Sequence, residues 1–129
     1  MVGDETLSVA GIGCRRGCGG DTIAALVRRA TRAAGCDVAA LAAPAFRSEE
    51  PGVRSAARTL ALPLIVVERA ALAAVQPRCV TRSARAAQAV GFASVAEAAA
   101  LAAAGPDSTL VLPRISGDGI TCAIARGTK

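Results

Sequence analysis

Apolar and polar positions along the chain change their spacing several times, and each change marks an element. Leu7-Ser8-Val9-Ala10-Gly11-Ile12 reads as a short buried strand that delivers the chain to a glycine-rich turn, GIGCRRGCGGDTI over 11–23. A helix follows, which Asp21 or Thr22 can cap. Ile23, Leu26, Val27, Ala30 and Ala34 mark one of its faces, Arg28, Arg29 and Arg32 the other, and Gly35 ends it. Val38 to Pro44 forms a second strand, running into a loop over Ala45 to Pro51 in which Glu49 and Glu50 stand where a first helical turn favours acids. Val53, Ala56, Ala57 and Leu60 then keep helical spacing, with Arg54 and Arg58 outward. The β-branched run within Leu62 to Val67 predicts a third strand. Glu68 to Val75 is a short helix closed by Gln76-Pro77-Arg78, and Ser83 caps another that reaches Val90 before Gly91 breaks the pattern. Ser94-Val95-Ala96-Glu97 is a capping box that opens an alanine-rich helix to Ala104, stopped by Gly105-Pro106. Thr109 to Pro113 and Ile120 to Ala125 are two strands, joined through a Gly117-Asp118-Gly119 turn into a hairpin.

Strands alternating with helices and closing in a β-hairpin predict an α/β fold, a three-layer α/β/α arrangement around a mixed sheet of about five strands. The 129 residues suit one domain, residues 1–129. Mean hydropathy is high, at +0.45, yet no apolar run approaches the roughly 20 residues that span a bilayer, and much of the excess is helical alanine. The first five residues, Met1-Val2-Gly3-Asp4-Glu5, are acidic and lack the layout of a secretory signal. A cytoplasmic protein without a membrane partner is the expectation.

Charge and side-chain chemistry then narrow the functions. The net charge of +5 rests on arginine, because the only lysine is Lys129. With two phenylalanines, no Trp or Tyr and no basic run longer than two, stacking platforms for nucleic acid are missing, so nucleic acid is not an expected partner. Five cysteines, Cys14, Cys18, Cys36, Cys79 and Cys122, form no C-x-x-C pair, and there is no histidine, so no metal site is expected. Cys36 and Cys122 read as small buried apolar residues. Cys14 and Cys18 differ, since a turn at a helix N-terminus beside arginines is where a thiol pKa falls. Proton transfer would fall to Asp, Glu or a tuned Cys. Ser48, Ser83 and Ser116 have no base within their local motifs.

The adjacent arginines in the first turn stand out. A dinucleotide fingerprint would need a third glycine where Arg16 stands, and Gly17 comes one residue late. At the carboxyl end of a strand, free backbone N–H groups, a helix N-terminus and two guanidinium groups converge on one space and favour an anion. Arginine forks onto carboxylates through paired hydrogen bonds. The residues leave a second reading open, in which Arg15 and Arg16 only cover the sheet end and pair with Asp21, Glu49 or Glu50.

Four segments together carry a resemblance. GIGCRRG at 11–17, SEEPG at 48–52, SVAEAAAL at 94–101 and LVLPRISGDGITCAIAR at 110–126 resemble, in order and over nearly the whole chain, the CobE/CbiG C-terminal domain family of cobalamin biosynthesis. The resemblance implies a three-layer α/β/α domain acting in the corrin-ring pathway. Larger members fuse it behind a domain that takes part in opening a ring-contracted lactone with loss of a two-carbon aldehyde, and this chain resembles the stand-alone form of the aerobic route. Members commonly have lysine where this chain has Arg47 and Arg114, which keeps the charge but excludes a lysine nucleophile or base there.

The partner the resemblance implies is a corrinoid or precorrin intermediate similar to hydrogenobyrinic acid, with other enzymes of the pathway as further partners and no cofactor. The candidate residues for binding it, taken from the segments that follow apolar strands and carry arginine, are Gly13, Cys14, Arg15, Arg16, Gly17, Arg47, Ser48, Arg114 and Ser116. Two functions follow, binding or carrying the intermediate, or hydrolysing its lactone with Glu49 or Glu50 activating water. Because each directly follows an apolar strand and carries arginine, the 13–20 turn, the 47–50 loop and the 113–116 segment are expected to border one shallow cleft.

Overall fold

The structure, a computed structural model, describes residues 6–81 and 94–128. The helix expected from Ser83 to Val90 lies outside them. The elements run β1 (Thr6–Gly13), α1 (Gly20–Ala34), β2 (Ala40–Pro44), α2 (Pro51–Leu60), β3 (Leu64–Val67), α3 (Arg69–Ala74), α4 (Val95–Ala104), β4 (Thr109–Gly117) and β5 (Ile120–Thr128), with 3-10 turns at Ala45–Arg47 and Gln76–Arg78. One mixed sheet carries the strands in the order β3-β2-β1-β5-β4. β1, β2 and β3 are parallel, while β5 runs antiparallel to both β1 and β4.

Side chains alternate between the two faces of this sheet, and each face is closed by a helical layer. On one face Ala10, Ile12, Leu41, Ile120 and Ile124 pack against Ile23, Val27 and Ala30 of α1 and Val53 and Ala56 of α2. On the other, Val9, Ala42, Val67 and Ala125 meet Leu72 of α3 and the alanines of α4. The expected three layers and five strands are therefore present.

Local differences have plain causes. α1 starts at Gly20, with Gly19 as an N-cap that offers no side-chain bond, so neither Asp21 nor Thr22 caps it. Its far end follows the glycine rule: Gly35 is left-handed at φ 71° and its N–H donates to the carbonyls of Thr31 and Arg32. The strand read as ending at Pro113 runs on to Gly117, which makes the 113–116 segment strand rather than loop. β4 is an edge strand, and Pro113 falls within a stretch of irregular pairing between Leu112 and Ile115, where a missing N–H is tolerated. The two-residue hairpin loop places Asp118 at φ 55° and Gly119 at φ 80°, the left-handed pair for which Asp-Gly is favoured.

Candidate functional site

Three parallel strands deliver their carboxyl ends to one edge of the sheet, and the antiparallel pairing of β5 with β1 brings the β4–β5 turn there too, since Gly13 is opposite Thr121. A cleft of about 520 Å³ opens at this edge. Its wall is the turn from Arg15 to Gly19, continued by Thr22 of α1, and the hairpin contributes Asp118 and Ile120. Arg15, Arg16 and Gly17 are exposed, whereas Ile120 at the back of the cleft is buried.

The turn is held from behind. Gly17, left-handed at φ 80°, donates its N–H to Glu50 Oε1 at 2.9 Å. Arg47 donates from Nε to the Cys14 carbonyl at 3.0 Å. The first turn of α2 lies so close that a Cβ on Gly52 would sit 1.9 Å from the Cys18 carbonyl oxygen. Ser48, buried, donates its hydroxyl to the Ala45 carbonyl, and Glu49 is ion-paired with Arg54 at 3.0 Å. Arg15, Arg16, Gly17, Arg47, Ser48 and Glu50 are thus assembled at one place, but in two ranks. The arginines of the turn face the cleft, and the 47–50 loop braces the turn.

The remaining expected residues lie elsewhere around it. Gly13 is at the end of β1, where its carbonyl accepts the Thr121 hydroxyl at 3.3 Å. Ser116 is exposed on β4, and its carbonyl accepts from Arg29 Nη2 at 2.9 Å. Arg114 is half-buried on the edge strand and does not line the cleft. Its backbone N–H donates to Glu97 Oε2 at 2.9 Å. Of the three segments expected to border one cleft, only the 13–20 turn lines it; the 47–50 loop stands behind that turn, and 113–116 is strand whose following hairpin turn, not itself, reaches the cleft.

Cys14 also departs from the sequence reading. Burial pushes its thiol up to about 12, with Cys18 and Glu50 adding to the rise and Arg47 opposing it. At neutral pH it is a protonated, weakly reactive thiol rather than an activated one.

Two residues of the cleft are new relative to the sequence reading. Thr22 and Asp118 line the cleft, and Arg15 lies over the hairpin, 2.7 Å from where a Cβ on Gly119 would be. Glu97, on α4 in the opposite helical layer, is outside the cleft but is the other feature the sequence did not announce. Fully buried, it accepts from the Val80 and Thr81 N–H groups at 2.9 Å each, from the Thr81 hydroxyl at 2.6 Å and from Arg114 N–H. Burial raises its carboxyl, and the bonds from Arg114, Thr81 and Val80 outweigh that, holding it below the ordinary carboxylate range.

A sheet of this topology with an arginine turn at the end of β1 defines a class. The chain belongs to the family described as the cobalamin synthesis G C-terminus, whose model matches residues 8–125. Its relatives place it among the proteins of cobalamin biosynthesis. It is 33% identical over 120 residues to Protein CobE of a Sinorhizobium species, covering 91% of this chain and 78% of that protein. It resembles the crystal structure of CobE, a protein from the cobalamin (vitamin B12) biosynthetic pathway, with a TM-score of 0.89 and 37% identity over 98% of this chain and 94% of that one. It also resembles the cobalamin biosynthesis protein chiG from Agrobacterium tumefaciens str. C58, with a TM-score of 0.76 and 43% identity over 95% and 99% of the two chains. Among the described residues no helix is long and apolar enough to cross a membrane.

Proposed function

We propose that this chain binds a carboxylate-rich corrinoid intermediate of cobalamin biosynthesis and holds its peripheral carboxylates with Arg15 and Arg16. One observation carries the reading. Two exposed guanidinium groups line a cleft at the carboxyl ends of the parallel strands, and among the described residues neither is ion-paired. Pairing with Asp21, Glu49 or Glu50 would have left no charge to offer, whereas here Glu49 is engaged by Arg54 and Glu50 by the Gly17 N–H. Binding is favoured over hydrolysis because neither Glu49 nor Glu50 lines the cleft, so neither carboxylate faces a water there.

Hydrogenobyrinic acid titrated into the purified chain and followed by its visible absorbance tests this. A charge-assisted hydrogen bond contributes about 1.5–3 kcal/mol, so Arg15→Ala or Arg16→Ala should each weaken binding by roughly one to two powers of ten. Both variants should keep the parent's circular dichroism, since these side chains are exposed. Two folded variants that bind the pigment as tightly as the parent would end the carboxylate-clamp reading. Release of a two-carbon aldehyde from the lactone intermediate by the chain alone would instead establish the hydrolase.

A further inference from the structure

Beside the arginine cleft lies a second cavity of about 470 Å³, lined among others by Thr22, Ala25, Leu26, Arg29, Arg32 and Asp118. Thr22 and Asp118 belong to both. The two cavities are therefore lobes of one groove that follows α1 along the hairpin turn. Thr22 and Arg32 are separated by ten helical positions, and at 1.5 Å per residue the groove extends roughly 15 Å. The hairpin turn is gripped from both lobes. A Cβ on Gly119 would lie 2.7 Å from Arg15 Nη2, and one on Gly117 would lie 3.6 Å from Arg29 Nη1.

Charge is arranged along this groove in a definite order. Arg15 and Arg16 stand at one end and Arg29 and Arg32 toward the other, and among the described residues none of the four is ion-paired. Between the ends lie the exposed methyl of Ala25, backed by the buried Leu26 and Ile120, and the carboxylates of Asp21 and Asp118. An anion is attracted at the ends and repelled in the middle.

We propose that Arg29 and Arg32 form a second carboxylate subsite, so that the ligand spans both lobes with its body crossing the exposed Ala25 between them. This rests on the corrinoid-binding reading and adds a requirement to it: the ligand must carry carboxylates on two opposite sides. A molecule acidic on one side only would use one arginine pair and leave the other solvated. Asp21 and Asp118 keep carboxylates out of the middle of the groove and so fix the ligand's orientation.

The experiment titrates hydrogenobyrinic acid into the full chain and its Arg16→Ala, Arg32→Ala, Arg32→Glu and Arg16→Ala/Arg32→Ala variants, with a thermal melt of each. Arg32 is exposed on the helix, so its substitution should leave the melt within a few degrees of the parent. Arg32→Ala should weaken binding about tenfold and Arg32→Glu further. The double variant should lose roughly the product of the two single losses, as expected for separated contacts. Arg32 variants that bind as tightly as the parent, while Arg16→Ala weakens binding, would overturn the second subsite and leave the first reading standing. No pigment binding by the parent chain would overturn both.

Discussion

The Glu97 carboxylate is a buried anion surrounded by donors from two stretches of chain, Val80–Thr81 and Arg114. Its lowered pKa has a consequence with a definite sign. Because the folded value lies below the ordinary 4.5, the group's contribution is fully present above the unfolded pKa and is lost as pH falls through the folded one. The chain should therefore lose stability on acidification below about pH 4.5, and Glu97→Gln should both lower stability at pH 7 by roughly 2–4 kcal/mol and flatten that acid dependence. Urea unfolding at pH 7 and pH 4 measures both, and an unchanged slope between them would exclude the assignment. Cys14 is governed by burial too. With its thiol at about 12, alkylation of a Cys14-only variant by iodoacetamide at pH 8 should be far slower than that of a free thiol of ordinary pKa, followed by mass spectrometry. The sequence made Glu97 visible only as the fourth residue of a capping box. Its N–H does take the Ser94 hydroxyl at 3.4 Å, but the carboxylate turns away to partners that are 16 or 17 residues distant, and no local pattern announces such partners. Cys14 misleads for the same reason: the flanking arginines are legible, the burial that outweighs them is not.

At the scale of elements, α4 shows what alanine and glycine do together. Its residues Ala96, Ala98, Ala99, Ala100, Leu101 and Ala104 are all buried, and its backbone rests directly on the sheet. A Cβ on Gly11 of β1 would lie 2.2 Å from the Ala96 carbonyl oxygen and 2.4 Å from the Ala100 nitrogen, and one on Gly127 of β5 would lie 1.9 Å from the Ala104 carbonyl oxygen. None of these backbone atoms can move without moving the helix. Gly11→Ala should therefore destabilise the fold by about 1–3 kcal/mol or more, seen as a drop of roughly 5–15 °C in Tm. A melt unchanged by the substitution would show that α4 is held less closely. The element boundaries that were legible are those with a local cause: Gly35 after α1, Ser94 before α4, and Asp118-Gly119 between β4 and β5. The ones that were not depend on neighbours. β4 continues past Pro113 because it is at the sheet's edge, and Gly52 is set by the Cys18 carbonyl against it, a contact between segments that are 34 positions apart.

For the whole molecule, the order β3-β2-β1-β5-β4 decides where function can sit. It brings the arginine turn after β1, the loop after β2 and the hairpin turn to one edge, while the sequence shows only that each follows a strand. The same order puts β1 and β5 side by side across the full length of β1, from Thr6 opposite Thr128 to Gly13 opposite Thr121. The middle of the sheet is thus closed by the two strands most distant along the chain, a pairing whose loop-closure entropy must be met before its contacts help. Assembly should wait for it. Since Thr6 and Thr128 are already neighbours, an Asn-Gly turn can join them, and new ends can be opened at the exposed Pro106-Asp107. Such a circular permutant changes no residue of the groove yet converts the longest-range strand pair into a local hairpin. Stopped-flow refolding should then speed up by about an order of magnitude at similar stability, and an unaltered rate would mean that some other step limits the folding of this sheet.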